Sequence, residues 1–173
     1  MKNFFKPLIM LLTAVTVIFS VGCNGAVDYE MAKCSTQGLE YLVPSHFEWV
    51  EHEEADDYYV TVNSSILVYA YTHAEFGQIF KGYDGDFSAL DVAEYIVELR
   101  KYNCSTYEGV APGSAGYTFM YSGDDGDFYY TSSVHTTAER VYVLAFSCNA
   151  AKLEKYQDMI GEIMSSVSVK TEE

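Results

Sequence analysis

Residues 140–169, RVYVLAFSCNAAKLEKYQDMIGEIMSSVSV, change from one hydrophobic pattern to another and back, and they decide the fold class. The opening RVYVLAFSC is rich in β-branched and aromatic residues, which is typical of a strand. Asn149 can cap a helix that follows it. The apolar residues of this predicted helix fall on one stripe: Leu153, Tyr156, Ile160, Ile163 and Met164. The ending VSVK favours a short last strand.

Upstream of this segment the same two patterns alternate. Residues 57–62 and 65–71 form a pair that favours a hairpin. Both faces of SILVYAY (65–71) are largely apolar, which predicts a central strand buried on two sides. Residues 87–102 predict the clearest helix, with Ser88 as its N-cap and Asp91 as the capping-box partner.

Short strands separated by turn residues fill most of the remaining chain, at 104–111, 115–122, 127–135 and 140–148. Consecutive strands with short links are antiparallel. Strands and helices in separate runs indicate an α+β fold. We therefore expect an antiparallel sheet of about six strands with two main helices packed on it.

The N-terminus has the organisation of a secretory signal. Lys2 and Lys6 precede an uncharged apolar run, residues 7–22, that is too short to span a bilayer. Val21 and Gly22 before Cys23 resemble the bacterial lipoprotein signal, although Ser20 stands where leucine is usual. The resemblance implies acylation of Cys23, and the alternative is ordinary cleavage nearby.

Three parts follow from this interpretation: a signal peptide at 1–22, a lipidated cysteine with a flexible tether at 23–38, and one α+β domain at 39–170. The lipid would hold the protein at the cell membrane on its exported side, since more than one acyl chain gives lasting anchorage. Asn24 follows the cysteine, so the aspartate that favours inner-membrane retention in enterobacteria is absent. In a Gram-negative cell, a location in the outer membrane is therefore also compatible with the sequence.

The charge of the chain is strongly acidic after Cys23. This part holds 8 Lys and Arg against all 25 Asp and Glu, a net charge of −17. Nucleic-acid binding needs a basic surface, so we expect no nucleic-acid partner. A protein with this negative charge attracts cations or basic partners instead.

Two acidic repeats offer carboxylates to a cation. They are YDGDF (83–87) and DDGDF (124–128), and their candidate ligands are Asp84, Asp86, Asp124, Asp125 and Asp127. Neither repeat has the ligand spacing of an EF-hand. Asp-Gly is also a strong hairpin signal, so a plain turn is the better account of 124–127. We expect no metal and no cofactor.

The histidines and cysteines give no catalytic motif. His46 and His52 lie six residues apart in an acidic segment without HExxH spacing, and His135 has no visible partner. With Cys23 acylated, three cysteines remain, Cys34, Cys104 and Cys148. Export permits one disulfide, for which Cys104 and Cys148 are the preferred pair, and the alternative is three reduced thiols. A Cys/His nucleophile built from either of these cysteines and His135 is conceivable, but nothing in the sequence places them in contact.

All 16 tyrosines follow Cys23, and many lie on predicted strands. Tyrosine suits the half-buried surface of a sheet, so most of them should pack. Because a tyrosine also has an apolar body and a polar tip, the alternative is an exposed row that binds a glycan or a protein.

The segments GLEYLVPSHFEW (38–49) and YVLAFSC together with EKYQDMIGEIMSSVSV near the C-terminus resemble the PsbP-like fold. This fold is shared by the extrinsic photosystem II subunit, the Ran-binding Mog proteins and many small bacterial lipoproteins. The resemblance covers residues 38–169, and the long segment 72–87 departs from it. The resemblance implies a binding or assembly protein. It assigns no catalytic residues to this chain, because the family has no invariant catalytic set.

We therefore expect a lipid-anchored, exported, non-catalytic binding or assembly module of the cell envelope that binds a protein or envelope component through its sheet face, with a protein or glycan as its partner. The alternative is an envelope enzyme, or a metal- or glycan-binding lipoprotein, that uses the acidic loops and the surface tyrosines.

Overall fold

A computed structural model describes residues 29–81, 87–100, 103–109, 111–124 and 126–170. The main element of this part of the chain is a seven-stranded antiparallel sheet. From one edge to the other its strands are β3 (Glu48–Trp49), β4 (Asp57–Val60), β5 (Ser64–Thr72), β9 (Arg140–Asn149), β8 (Gly126–Thr136), β7 (Ser114–Gly123) and β6 (Cys104–Glu108).

A second, smaller sheet lies against the first. It has the order β1 (Met31–Thr36), β2 (Leu39–Pro44) and β10 (Ser168–Val169), and both pairings are antiparallel. The turn between β1 and β2 consists of Gln37 and Gly38, whose φ angles are 49° and 96°. Positive φ at both central residues is the requirement of the tight hairpin turn that matches strand twist.

Three helices complete the described elements: α1 (His73–Ile79), α2 (Ala89–Leu99) and α3 (Leu153–Ser166), the last preceded by a 3₁₀ turn at Ala150–Lys152. Helices α1 and α2 each begin with a full capping box, Thr72 with Glu75 and Ser88 with Asp91. The predicted cap at Ser88 is therefore confirmed. Asn149 caps the 3₁₀ turn, because its Oδ1 accepts a hydrogen bond from the N–H of Ala151.

The large sheet has an apolar layer on each face. Helices α1 and α2 cover one face, and α3 with the small sheet covers the other. Strand β5 pairs with β9 along its whole length and lies in the middle of both layers. Ile66 and Val68 enter the layer under α3, whereas Leu67 and Tyr69 enter the layer under α2. The prediction of a central strand buried on two sides is confirmed.

The α+β fold class with an antiparallel sheet is confirmed, and the numbers of elements differ from the expectation. The described residues contain ten strands where about six were expected, and three helices where two main ones were expected. Strand β1 occupies part of the predicted tether 23–38. It is an edge strand whose side chains are largely exposed, so its sequence shows no hydrophobic alternation. Helix α1 lies in the segment 72–87, where the sequence AEFGQIF (74–80) favours at most a short helical turn.

Among the described helices, none has the length and apolar content that a membrane span requires.

Candidate functional site

An acidic cleft of about 320 Å³ opens where strand β5 ends. Four distant segments form its walls: the β1–β2 turn, the loop that leads into β4, the junction of β5 with α1, and the first residue of β9. Its charged and aromatic lining residues are Glu53, Glu54, Asp56, Tyr71, Glu75 and Arg140. Four carboxylates around one guanidinium give the cleft a negative charge, which favours a cationic ligand.

Asp56 fixes the loop side of the cleft. Its backbone N–H donates to the carbonyl of Val68 at 2.9 Å, and its Oδ2 accepts from the N–H of Ala70 at 2.8 Å. Its Oδ1 accepts from Nε2 of Gln37 at 2.5 Å. One carboxylate thus joins the loop, the central strand and the β1–β2 turn, and the wall of the cleft has a defined shape.

The turn residue Gln37 is held from both sides in a conformation that non-glycine residues rarely adopt. Its side chain reaches Asp56, and its backbone carbonyl accepts a hydrogen bond from Oη of Tyr142 at 3.0 Å. A residue in the left-handed region costs about 1–2 kcal/mol. These two hydrogen bonds offset that cost, so the turn is a positioned part of the cleft.

Glu75 lies on the helix side of the cleft and serves as the capping partner of α1. Its Oε2 accepts from the backbone N–H and the hydroxyl of Thr72, each at 2.8 Å. The backbone hydrogen bond from Thr72, followed by the side-chain one, lowers the pKa of Glu75, and Arg140 adds to this. Glu75 therefore stays ionised at neutral pH.

Arg140 and Tyr71 add further hydrogen-bond donors to the cleft. Nη1 of Arg140 donates to the carbonyl of Ala70 at 3.4 Å, which holds the guanidinium near the end of β5. Burial raises the pKa of Tyr71, and the nearby carboxylates of Asp56 and Glu54 raise it further. Tyr71 is therefore a neutral hydroxyl at physiological pH.

Asp57 follows the cleft residue Asp56 in the sequence, and its carboxylate links the two sheets. Its carboxylate accepts hydrogen bonds from the hydroxyl of Thr36, from Oη of Tyr41 at 2.6 Å and from Nε1 of Trp49 at 3.0 Å. Tyr41 is buried, whereas Trp49 is 57% exposed. This junction fixes the small sheet against β4 and so supports the cleft from one side.

Of the five candidate acidic ligands, Asp124 and Asp127 lie in the part of the chain that the structure describes. Asp124 and Asp127 lie at the tip of the β7–β8 hairpin, where Asp127 accepts a hydrogen bond from Ser122 at 2.6 Å. Gly126 has a φ of 115°, which is typical of a tight turn. Within the ranges that the structure describes, no group of three His, Cys, Asp or Glu residues could hold a metal ion. Asp84, Asp86, Asp125 and Cys23 lie outside the described residues.

None of the described histidines lines the cleft. His52 shapes the adjoining loop, since its Nδ1 accepts from the N–H groups of Glu54 and Ala55, both at 3.1 Å. His135 is buried in the sheet, within 2.9 Å of the hydroxyl of Ser133, and burial lowers its pKa to about 4. His46 packs its ring against Tyr29 and Phe47.

The structure does not bring the predicted disulfide pair together. Cys104 lies on β6 and Cys148 on β9, with β7 and β8 between them. Cys104 packs in the layer under α2 and Cys148 in the layer under α3. Both are free thiols, as is Cys34, and burial raises the pKa of Cys148 to about 12. A bond between the two would require the sheet to come apart.

The tyrosines mostly pack in the apolar layers, as expected for most of them. Buried examples on the sheet are Tyr69, Tyr117, Tyr130 and Tyr142. Sequence reasoning did not find the cleft, because its residues come from four separate segments. The signals that it overlooked are the doublet Asp56–Asp57 before a strand and the pair Gln37–Gly38, which resembles a hairpin turn.

No protein-family model matches this chain, and no curated protein matches it. Solved structures do. The PsbP of the cyanobacterium Synechocystis sp. PCC 6803 has a TM-score of 0.54 at 15% identity, over 87% of this chain and 98% of that chain. The Ran-binding protein Mog1p of Saccharomyces cerevisiae has a TM-score of 0.55 at 12% identity, over 82% and 96%. The fold is PsbP-like.

A third PsbP-like neighbour is LpqN of Mycobacterium tuberculosis, which is described as involved in cell envelope biogenesis. Its TM-score is 0.50 at 13% identity, over 83% of this chain and 92% of that chain. At such identities the likeness concerns the fold alone.

Proposed function

We propose that this protein is a lipid-anchored, exported binding module of the cell envelope, and that the acidic cleft receives a cationic group of its partner. The observation that carries the proposal is the cleft itself, in which Glu53, Glu54, Asp56 and Glu75 surround about 320 Å³. The PsbP-like fold and the envelope role of one structural neighbour support an envelope module.

The charges of the cleft favour a lysine, an arginine or another organic cation over a metal ion. Asp56 and Glu75 each have oxygens engaged by hydrogen-bond donors of the protein. Arg140 contributes a positive charge to the same cleft, which disfavours a bare divalent cation. A partner's ammonium or guanidinium group can instead contact Glu53 and Glu54 from the solvent side.

The proposed anchor restricts where the partner is found. Strand β1 begins at Met31, so residues 24–30 are the only link between an acylated Cys23 and the first strand. Seven extended residues span at most about 25 Å. The domain would therefore stay close to the membrane surface, and its partner would be a component of the same envelope face.

The anchor is tested by Cys23→Ala. We expect the variant to leave the membrane fraction or to remain unprocessed, because it lacks the acylated residue. A processed variant that still fractionates with membranes would contradict the anchor.

The cleft is tested with tetralysine as the cationic probe, by calorimetric titration at low salt. We expect Glu53→Gln/Glu54→Gln to weaken binding about tenfold, since each charge contributes roughly 0.5–1 kcal/mol at an exposed site. The matched control is Glu94→Gln/Glu98→Gln, which removes two exposed charges from α2. Equal weakening by both double variants would show that only the overall charge of the protein matters.

A further inference from the structure

A group of polar side chains lies inside the apolar layer beneath the C-terminal end of α2. Its members are Tyr69 on β5, Tyr117 on β7, Tyr130 on β8 and Arg100, which follows the last residue of α2. The three tyrosines are at most 4% exposed. Polar groups buried to this degree normally have hydrogen-bond partners.

Two donors of this group have no acceptor. Oη of Tyr69 and Nε of Arg100 are buried, and neither makes a hydrogen bond within the described part of the chain. A buried donor left without a partner costs about 1–3 kcal/mol. By contrast, side-chain hydrogen bonds link Tyr117 with Tyr130 and with Ser132. An acceptor from outside the described residues would therefore stabilise both donors.

The charge of Arg100 is also uncompensated by any described carboxylate. The ion pairs of the described residues are Lys33–Glu40 and Lys170–Glu40, both on the small sheet. The guanidinium carbon of Arg100 instead lies 5.1 Å from the ring centre of Phe119 and 5.9 Å from that of Tyr130. Aromatic rings attract a cation, but they accept no conventional hydrogen bond from Nε.

The surroundings keep the tyrosines neutral. Burial is the main cause that raises the pKa of Tyr69 and of Tyr130, and the charge of Arg100 only partly opposes it. Tyr69 is therefore a hydroxyl that can donate a hydrogen bond at neutral pH. Arg100 as a residue is only partly buried, although its Nε is buried.

We propose that Oη of Tyr69 and Nε of Arg100 are the donors of a binding site for a small oxyanion, a carboxylate or phosphate group, beneath the end of α2. The ligand would accept a hydrogen bond from each donor, and its charge would offset that of the guanidinium. A water molecule satisfies both donors but leaves the charge in place. This site is separate from the acidic cleft and does not depend on the function proposed for it.

The experiment is a set of thermal melts of the full chain at pH 7 in phosphate, in acetate and in chloride at equal ionic strength. We expect phosphate or acetate to raise the melting temperature of the wild type by about 4 °C when present at ten times its dissociation constant. The better of the two anions identifies the preferred group. Tyr69→Phe and Arg100→Lys should each remove at least half of this rise.

The control variants are Tyr107→Phe, which loses a hydroxyl on the other face of the sheet, and Arg140→Lys, which alters the cationic residue of the cleft. Both should keep the full rise. An equal rise in all five proteins, or no rise in any, would overturn the proposal. So would a Tyr69→Phe variant that is as stable as the wild type in both anions, because removing a hydroxyl that binds nothing carries no penalty.

Discussion

The acidic cleft and the tyrosine cluster beneath α2 are neighbours along strand β5 and have opposite chemistry. Tyr71 lines the cleft and Tyr69 belongs to the cluster, and their rings stack with centres 5.8 Å apart. The cleft has a surplus of acceptors and lies open to solvent, whereas the cluster has a surplus of donors and is buried. Two residues on the same face of one strand, separated by Ala70, thus contribute to environments that select ligands of opposite charge.

The comparison teaches that residue type and burial together separate the two. At the cleft, carboxylates remain charged because donors of the protein and solvent reach them. In the cluster, desolvation penalises the phenolate, so the pKa of Tyr130 is raised and its hydroxyl stays neutral to higher pH than usual. Acid should therefore destabilise the folded protein through the cleft, and alkali should destabilise it through the cluster.

The largest expected effect is alkaline unfolding driven by the cluster. Burial raises the pKa of Tyr69, Tyr117 and Tyr130 above the usual value of 10.0. Above pH 10 the unfolded chain therefore loses protons that the folded chain retains, and stability is lost as pH rises. Each such tyrosine should cost about 1 kcal/mol per pH unit. Urea titrations between pH 9 and 11 measure this loss, and Tyr130→Phe should reduce its slope. An unchanged slope would contradict the account.

The second effect concerns the support of the cleft. Asp57→Ala removes the acceptor shared by Thr36, Tyr41 and Trp49, and it leaves the buried hydroxyl of Tyr41 with fewer partners. We expect a loss of about 3 kcal/mol in the free energy of unfolding, measured with urea and the fluorescence of Trp49. Asp57→Asn, which keeps one acceptor oxygen, should lose less. A loss below about 0.5 kcal/mol would show that the two sheets are joined by packing alone.

The third prediction uses the two capping boxes as a matched pair. Thr72→Ala uncaps α1 at the cleft, and Ser88→Ala uncaps α2 above the cluster. Each should cost about 1 kcal/mol of stability in thermal melts. Only Thr72→Ala should also weaken tetralysine binding, because it releases Glu75. If Ser88→Ala weakens that binding equally, the position of Glu75 does not control the cleft.

The smallest effect is on the acid side. The pKa of Glu75 is lowered in the folded chain, chiefly by the backbone N–H of Thr72. Its contribution to stability is present above the ordinary pKa of 4.5 and is lost as pH falls through the lower folded value. Because Glu75 is exposed, this contribution is small. Melts between pH 6 and 3 should show a shallower decline in Glu75→Gln, and an identical decline would contradict the assignment.

Local patterns in the sequence predicted local structure well. The capping box at Ser88 and Asp91 and the central strand 65–71 are confirmed, because each depends on residues close together in the chain. Strand β1 was missed because an edge strand with exposed side chains carries no hydrophobic period. Helix α1 was expected at most as a short helical turn around residues 74–80, because a periodic pattern needs several turns to be recognised.

What the sequence could not predict depends on strand order and register. The cleft combines Gln37, Glu54, Thr72 and Arg140, which meet only because β9 lies beside β5 and the β1–β2 turn lies over their ends. The same order separates Cys104 from Cys148, although both were correctly placed near strand ends. Lipidation of Cys23 stays a prediction, since it lies outside the described residues.

The most direct test of the central claim is a map of tetralysine binding by amide NMR shifts of the folded domain at low salt. The account predicts that the largest shifts fall on the cleft segments, at residues 53–56, 70–75 and 140. The exposed acidic positions of α2, Glu94 and Glu98, should shift little. Shifts spread evenly over all exposed acidic residues would contradict the account, because they would show a diffuse attraction to a negatively charged protein and no defined site.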